Sequence, residues 1–388
     1  MSNPILTVRQ ASLNSLAARH PWVLASSLSK PPGPLEKDTV VDLADAQGRF
    51  LGRGFFNPDS RIAVRVLCWR QDETLDDTLL GDRIAAAVRL RLDRLEAESS
   101  TDGEAGQGSP ARRLIFSEAD RLSGLIVDAY GPHLVVQVTA SAIHARLPLV
   151  LETLRAVVPC ESILLQVDRG TAEKEGIPPQ HEAVWGTAPT KPFILRENGL
   201  LFRVDLIGGQ KTGHFLDQRQ NRAAAAGWIA AGSRVLDICC YSGGFACTIA
   251  RRVPGCSVTA IDGSKAALEL AAANLELNGL QNVQLEQSDF FEALQRRLDT
   301  GESYDAIVLD PPRRDPILGP RLPSRATRLR RSISHQCLQP PGKLLEPDSE
   351  NLTDEALQVV GLGARHQRGV IIGRRPLLEN LHVAARSL

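Results

Sequence analysis

Three aspartates stand where apolar runs end in the second half of this 388-residue chain: Asp262 closes SVTAID, Asp289 follows NVQLEQ, and Asp310 closes YDAIVLD. Apolar strands that alternate with helices form parallel sheets, and such sheets bind ligands outside the carboxyl ends of their strands. Acids at successive strand ends would therefore share one cleft. There a carboxylate can hold ribose hydroxyls or an exocyclic amine, and in a partly dry site it attracts a cation. A fourth acid, Asp237, lies in SRVLDICCYSGGFACTIA (233–250), a strand that runs into a tight turn at Gly243 and Gly244 and then into a helix. Two adjacent glycines let backbone approach a ligand closely. Asp262 follows Gly243 by 19 residues, close to the spacing at which an acid holds ribose hydroxyls in dinucleotide folds. The turn lacks GxGxxG, so a pyrophosphate at the helix N-terminus is poorly supported. Asp237 would repel phosphates and favour a methionine amine or sulfonium, which suits S-adenosylmethionine (SAM) better than NAD. Asp310, followed by two rigid prolines, is the candidate catalytic group at the same edge.

The elements that must carry these residues are legible as strand and helix in alternation from Thr187: LLFRVDL, a helix near 219–231, RVLDI, a helix near 245–252, SVTAI, a long helix from Ser264, NVQLEQ, a further helix and YDAIVLD. The fold class is α/β, with a Rossmann-like domain over 187–388. Residues 1–72 carry short β runs, TVVDLAD, RFLGRGFF and RIAVRVLCW, broken by Gly, Asn, Pro and Asp, which predict a small barrel or sandwich. Residues 73–186 read as an α+β insert: a helix with Ile84, Val88, Leu92 and Leu95 on one face, a Gly/Ser-rich loop over 98–110, several strands, and one helix over 143–157.

Composition excludes several classes. Hydrophobic residues at 43% and charged residues at 23% are those of a globular chain with a real core. No apolar run approaches the roughly 18 residues of a membrane span, and no signal peptide is evident, so a cytoplasmic protein is expected. The seven cysteines form no CxxC pairs, which argues against a disulfide framework and, with no His/Cys/Asp spacing, against a metal site. The 45 basic and 45 acidic residues balance, so any nucleic-acid surface must be local. The sequence leaves a homodimer open.

In ordered series, the motifs resemble the bacterial large-subunit ribosomal RNA cytosine-5 methyltransferases that carry an N-terminal PUA domain. RHPWVLASSL (19–28) and GRGFFNPDSRIAVRVL (52–67) look like the PUA module, EADRLSGLIVDAYG (118–131) and DRGTAEKEGI (168–177) like the insert, and GGQKTGHFLDQRQNR (208–222) like the signature before the methyltransferase core. VLDICCYSGGFA, IDGSKAALELAAANLELNGL and DPP follow in place. The resemblance implies a class I methyltransferase domain, ribosomal RNA as partner, and SAM contacts from Asp237, Tyr241, Gly243, Gly244, Asp262 and Asp289. It places Asp217, Gln218, Arg219 and Arg222 at the cofactor or RNA entrance. Lys211, His214, Arg219 and Arg222 with Phe215 are expected to form a local basic and aromatic surface for RNA. His20 and Trp22 read as packing residues of the β module, an RNA-facing edge being the alternative.

Cytosine C5 is a poor nucleophile, so this chemistry normally employs a cysteine thiolate that adds to C6. The family carries that cysteine after a Pro-Gly turn, but the matching stretch here, QPPGKLLEPDSENLT (339–353), has none, and Cys337 precedes the turn. From Arg313 onward the chain is rich in Arg and Pro and has no Phe, Tyr or Trp, as a frame shift near residue 313 or a degenerate tail would produce. Two other outcomes therefore stand beside cytosine-5 transfer: an RNA-binding protein that takes SAM without turnover, and transfer to an amine.

Overall fold

Val, Leu and Phe recur along the first five strands. These are β1 (Ile5–Thr7), β2 (Trp22–Val23), β3 (Val40–Ala44), β4 (Phe50–Phe56) and β5 (Val64–Cys68), with a short helix α1 (Leu13–Ala17) after β1. The apolar residues bury one face of β3, while β5 is buried at every position. In the computed structural model the described residues are 3–29, 34–99, 108–207, 213–310, 358–360 and 370–372. The sheet order is β1-β3-β4-β5-β2, antiparallel except for β1 beside β3. Leu6, Val23, Val41, Leu43, Val64 and Val66 fill its core.

Helix α2 (Asp77–Ser99) lays Leu80, Ile84 and Val88 on a second core. That core belongs to β6 (Ala111–Phe116), β7 (Leu125–Tyr130), β8 (His133–Val138), β9 (Ser162–Val167) and β10 (Gln180–Gly186), in the order β10-β9-β8-β7-β6. β8 and β9 are parallel, so a crossover must join them. It is made by α3 (Ser141–Ala145) and α4 (Leu147–Val157), not by one helix over 143–157. The break falls at Arg146, and Pro148 sits in the first turn of α4, where its missing N–H costs nothing. Helix α5 (Arg169–Glu175) starts at Asp168, whose carboxylate accepts the Thr171 N–H.

Polar contacts fasten the first sheet to the second. The buried Glu175 carboxylate accepts from Arg65 Nη2 at 2.8 Å, Ser60 Oγ at 2.8 Å and Asn57 Nδ2 at 3.2 Å. Lys37 Nζ donates to the carbonyls of Glu175 (2.6 Å) and Gly176 (2.7 Å) at the end of α5. All of these groups lie in one unit, 1–195 with 204–216; the second unit is 196–203 with 217–388.

The division falls in a hairpin of β11 (Phe193–Glu197) and β12 (Leu200–Val204). LLFRVDL is therefore not a member of the parallel sheet, as the alternation suggested. It pairs with β11 across Asn198-Gly199, whose φ values of +53° and +75° match the twist of a tight hairpin. The parallel sheet is built by α6 (Arg219–Trp228), β13 (Arg234–Ile238), α7 (Gly244–Arg252), β14 (Ser257–Asp262), α8 (Lys265–Leu277), β15 (Val283–Gln287), α9 (Phe290–Thr300) and β16 (Ala306–Leu309), with strand order β15-β14-β13-β16. Continuous apolar runs such as AIVL are what a sheet covered on both faces requires. Val235, Val258 and Val308 pack toward α6 and α7, while Leu236, Ile261 and Ile307 pack toward α9. In the tail, β17 (Gln358–Val360) and β18 (Val370–Ile372) form an antiparallel pair. Cys337 and the stretch 339–353 lie outside the described residues.

Candidate cofactor site

Parallel register sets the height of each acid. Asp262 stands opposite Gln287, and Ile238 stands opposite both Ile261 and Leu309, so Cys239 and Asp310 emerge level with Asp262 at one edge. Asp237 lies two residues deeper than Cys239 and is buried. Its Oδ2 accepts the Ala246 N–H at 3.0 Å, which pins the first turn of α7 to β13. Asp262 accepts the Tyr241 N–H at 2.9 Å and the Ser264 N–H at 2.8 Å, joining two loops through one carboxylate. Asp289 is exposed and accepts the Phe291 N–H at 2.8 Å in the first turn of α9. Gln218 Nε2 lies 3.4 Å from Asp310 Oδ2, and Asn221 Nδ2 donates to Gln218 Oε1 at 2.6 Å.

These acids feel one another. Burial pushes Asp237 up from 3.8 to about 8; Asp310 and Asp262 add to the rise, and the Ala246 N–H opposes it. Burial also pushes the Cys239 thiol up to about 12, with Asp262, Asp237, Asp310 and Asp289 all raising it. With Asp262 and Asp310 level with Cys239, the edge is electronegative, and Asp237 beneath it carries a proton up to about pH 8.

Because the folded-state value of Asp237 lies above its ordinary one, the folded state binds the extra proton. The associated stability is complete below about pH 4 and is lost as pH rises through about 8. Asp237→Asn keeps an acceptor for Ala246 and removes this titration. Its urea midpoint is expected to gain on the wild type between pH 5 and pH 8, and a constant difference over that range would refute the assignment.

The turn itself is strained in a way the sequence does not advertise. Cys239, Tyr241 and Gly243 have φ of +61°, +48° and +77°, so left-handed residues alternate along it. Each non-glycine there costs on the order of 1–3 kcal/mol, and such strain concentrates at functional sites. Asn274 holds the turn from behind: its Nδ2 donates to the Ser242 carbonyl at 2.9 Å and its Oδ1 accepts the Arg203 N–H of β12 at 2.7 Å. Asn278, one helical turn on, brackets Leu201 through both its N–H and its carbonyl. The i, i+4 asparagines in ANLELN were the signal for this support, and sequence reasoning missed them.

The second glycine has an internal reason. A Cβ on Gly244 would stand 3.1 Å from Arg222 Cδ, so its absence makes room for that side chain. Arg222 is buried and donates to both oxygens of Glu197, at 2.8 and 3.0 Å. His214 is also buried, its N–H donating to Tyr130 Oη at 3.2 Å. Neither adds charge to an exposed surface, contrary to the expected basic patch. Phe215 and Arg219 are half-buried, Gln218 is buried, Asp217 is exposed, and Lys211 lies outside the described residues.

The edge presents carboxylates, which fits ribose hydroxyls, an amine and a sulfonium and does not fit a pyrophosphate. Among the described residues no cluster of three or more His, Cys, Asp and Glu could hold a metal, and no helix is long and apolar enough to cross a membrane.

Residues 6–69 match the PUA-like domain family and residues 229–354 match a methyltransferase domain family. Fold and site thus define a methyltransferase domain preceded by a PUA-like domain. The chain is 36% identical over 305 residues to "Ribosomal RNA large subunit methyltransferase I" of Tolumonas auensis, covering 77% of this chain and 73% of that protein. It is 34% identical over 351 residues to the protein of the same name from Aeromonas hydrophila, covering 88% and 85%. It belongs to the ribosomal RNA large subunit methyltransferase I family. Two solved structures share the fold: a protein of Streptococcus mutans assigned as a SAM-dependent methyltransferase (TM-score 0.64, 21% identity, 80% of this chain and 77% of that one). The other is SMU.776, assigned as a methyltransferase and complexed with SAH (TM-score 0.67, 20% identity, 85% and 81%).

Proposed function

We propose that this chain is a cytoplasmic enzyme that takes SAM at the acid edge and methylates C5 of a cytosine in large-subunit ribosomal RNA. The level register of Asp262 and Asp310 beside Cys239, with Asp237 beneath them and Asp289 at the start of α9, carries the cofactor part of this reading. The names of its relatives support the RNA part. Asp262 holds the ribose hydroxyls, Asp289 the adenine amine, Asp237 orients the turn through Ala246, and Tyr241, Gly243 and Gly244 line it. Bound SAM supplies an electrophilic methyl group. Asp310, steadied by Gln218, faces the acceptor base, which must leave its stack to reach it. The PUA-like domain holds the RNA by phosphates and shape.

Turnover by this copy is slow in this reading. Addition at C6 needs a thiolate, and the stretch 339–353, where the family carries its cysteine, has none. The test combines calorimetry with labelled transfer. SAM or its demethylated product is expected to bind at one site per chain, and label from SAM is expected at cytosine C5 of protein-free large-subunit RNA, slowly. No uptake by a folded sample would end the reading; uptake without any transfer would select the binding-only protein.

A further inference from the structure

Trp22, read from the sequence as a packing residue of the β module with an RNA-facing edge as the alternative, is 41% exposed. Its ring is nevertheless fixed from three directions. The indole Nε1 donates to Glu118 Oε1 at 2.7 Å, the Arg65 guanidinium lies 5.8 Å from the ring centroid, and His20 meets it edge-on at 5.7 Å and 86°. The backbone is fixed as well, since Trp22 pairs with Arg65 across β2 and β5 and its N–H donates to His20 Nδ1 at 3.2 Å. Glu118 stays a carboxylate: burial raises its pKa, but bonds from Ser123, Ser117 and Trp22 bring it below the ordinary value. An aromatic ring that water still reaches is thus held by polar, cationic and aromatic contacts at once.

The surroundings have the charge of a nucleic-acid contact. Asp42, Asp45 and Asp59 of this module are engaged by Arg53, Arg49 and Lys37. Exposed Arg9, Arg19 and Arg61 make no side-chain hydrogen bond or ion pair among the described residues. All three lie along the segment 19–27 around Trp22, Arg61 and Arg9 at the turn that follows β2. Arg19 is three residues before Trp22, the Arg61 carbonyl accepts the Ala25 N–H, and the Arg9 N–H donates to the Ser27 carbonyl.

We infer that Trp22 is a stacking platform for one unpaired base of the RNA, with Arg9, Arg19 and Arg61 meeting the flanking phosphates. A base offers the ring a π face at little entropic cost because the ring is already fixed, and unpaired bases are the part of RNA that aromatic side chains read. This deepens the proposed function by naming the kind of RNA this module grips, a single-stranded segment and not a duplex.

The full chain would be titrated with a fluorescent single-stranded RNA 12-mer, the corresponding RNA duplex and the corresponding single-stranded DNA, by anisotropy at several salt concentrations. Trp22→Ala is expected to weaken single-stranded RNA binding by about 5- to 150-fold with the salt slope unchanged. Trp22→Phe keeps the ring and is expected to restore most of that loss, which separates stacking from a folding defect. Arg19→Ala and Arg61→Ala should each lower the salt slope by about one. A Trp22→Ala affinity within twofold of wild type, equal losses for Trp22→Phe and Trp22→Ala, or tighter binding to the duplex or to DNA than to single-stranded RNA would each overturn the platform. Calorimetric SAM uptake by the same variants keeps the two readings apart: uptake with unaltered RNA binding removes the platform alone, whereas a wild type that binds no RNA removes both.

Discussion

Glu197→Ala is expected to destabilise the protein by about 3–5 kcal/mol, the cost of leaving one member of a buried, bidentate ion pair without its partner. Arg222 and Glu197 have side-chain exposures of 3% and 2%, so water cannot take over the lost bonds. Arg222→Met with Glu197→Leu should recover most of that loss, because an apolar pair of similar volume needs no desolvation of charge. Urea unfolding of the single and double variants measures both numbers. A single-variant loss below about 1 kcal/mol would mean that the guanidinium finds other partners. The pair also matters to the site, since Arg222 fills the space beside Gly244 at the start of α7. The double variant is therefore expected to be stable while binding SAM less tightly than wild type.

Asp262→Ala should lower SAM affinity by about 10- to 150-fold, the worth of a hydrogen bond to a charged group. Two effects add. The ribose acceptor of the proposed site is lost, and the N–H groups of Tyr241 and Ser264 lose their common partner. Tyr241 is held at φ +48°, so freeing its N–H lets a strained turn relax away from its working shape. Calorimetry on Asp262→Ala and Asp262→Asn tests this. Unchanged affinity in both would remove Asp262 from the site.

Much of this was legible because it rests on local pattern. Buried runs such as VLDI and AIVL fix the parallel strands, and an acid at the end of each run fixes the edge that carries chemistry. What escaped notice depends on partners distant in sequence or on backbone angles that residue type conceals. Arg222 looks like a solvated basic residue until Glu197, 25 positions earlier, is placed against it. Cys239 and Tyr241 adopt left-handed angles without being glycine. The hairpin of β11 and β12 is different, because its Asn198-Gly199 signal was present and LLFRVDL was still read as part of the alternation. The split of α3 from α4 was likewise marked by Pro148.

Glu175, locked by Arg65, Ser60 and Asn57 while Lys37 clasps the neighbouring carbonyls, has a consequence for how a substrate can be handled. Separating the N-terminal module from the middle sheet would break all of these bonds together, so that module is no swinging arm. Anything it held would be presented to the middle sheet at a constant distance and bearing.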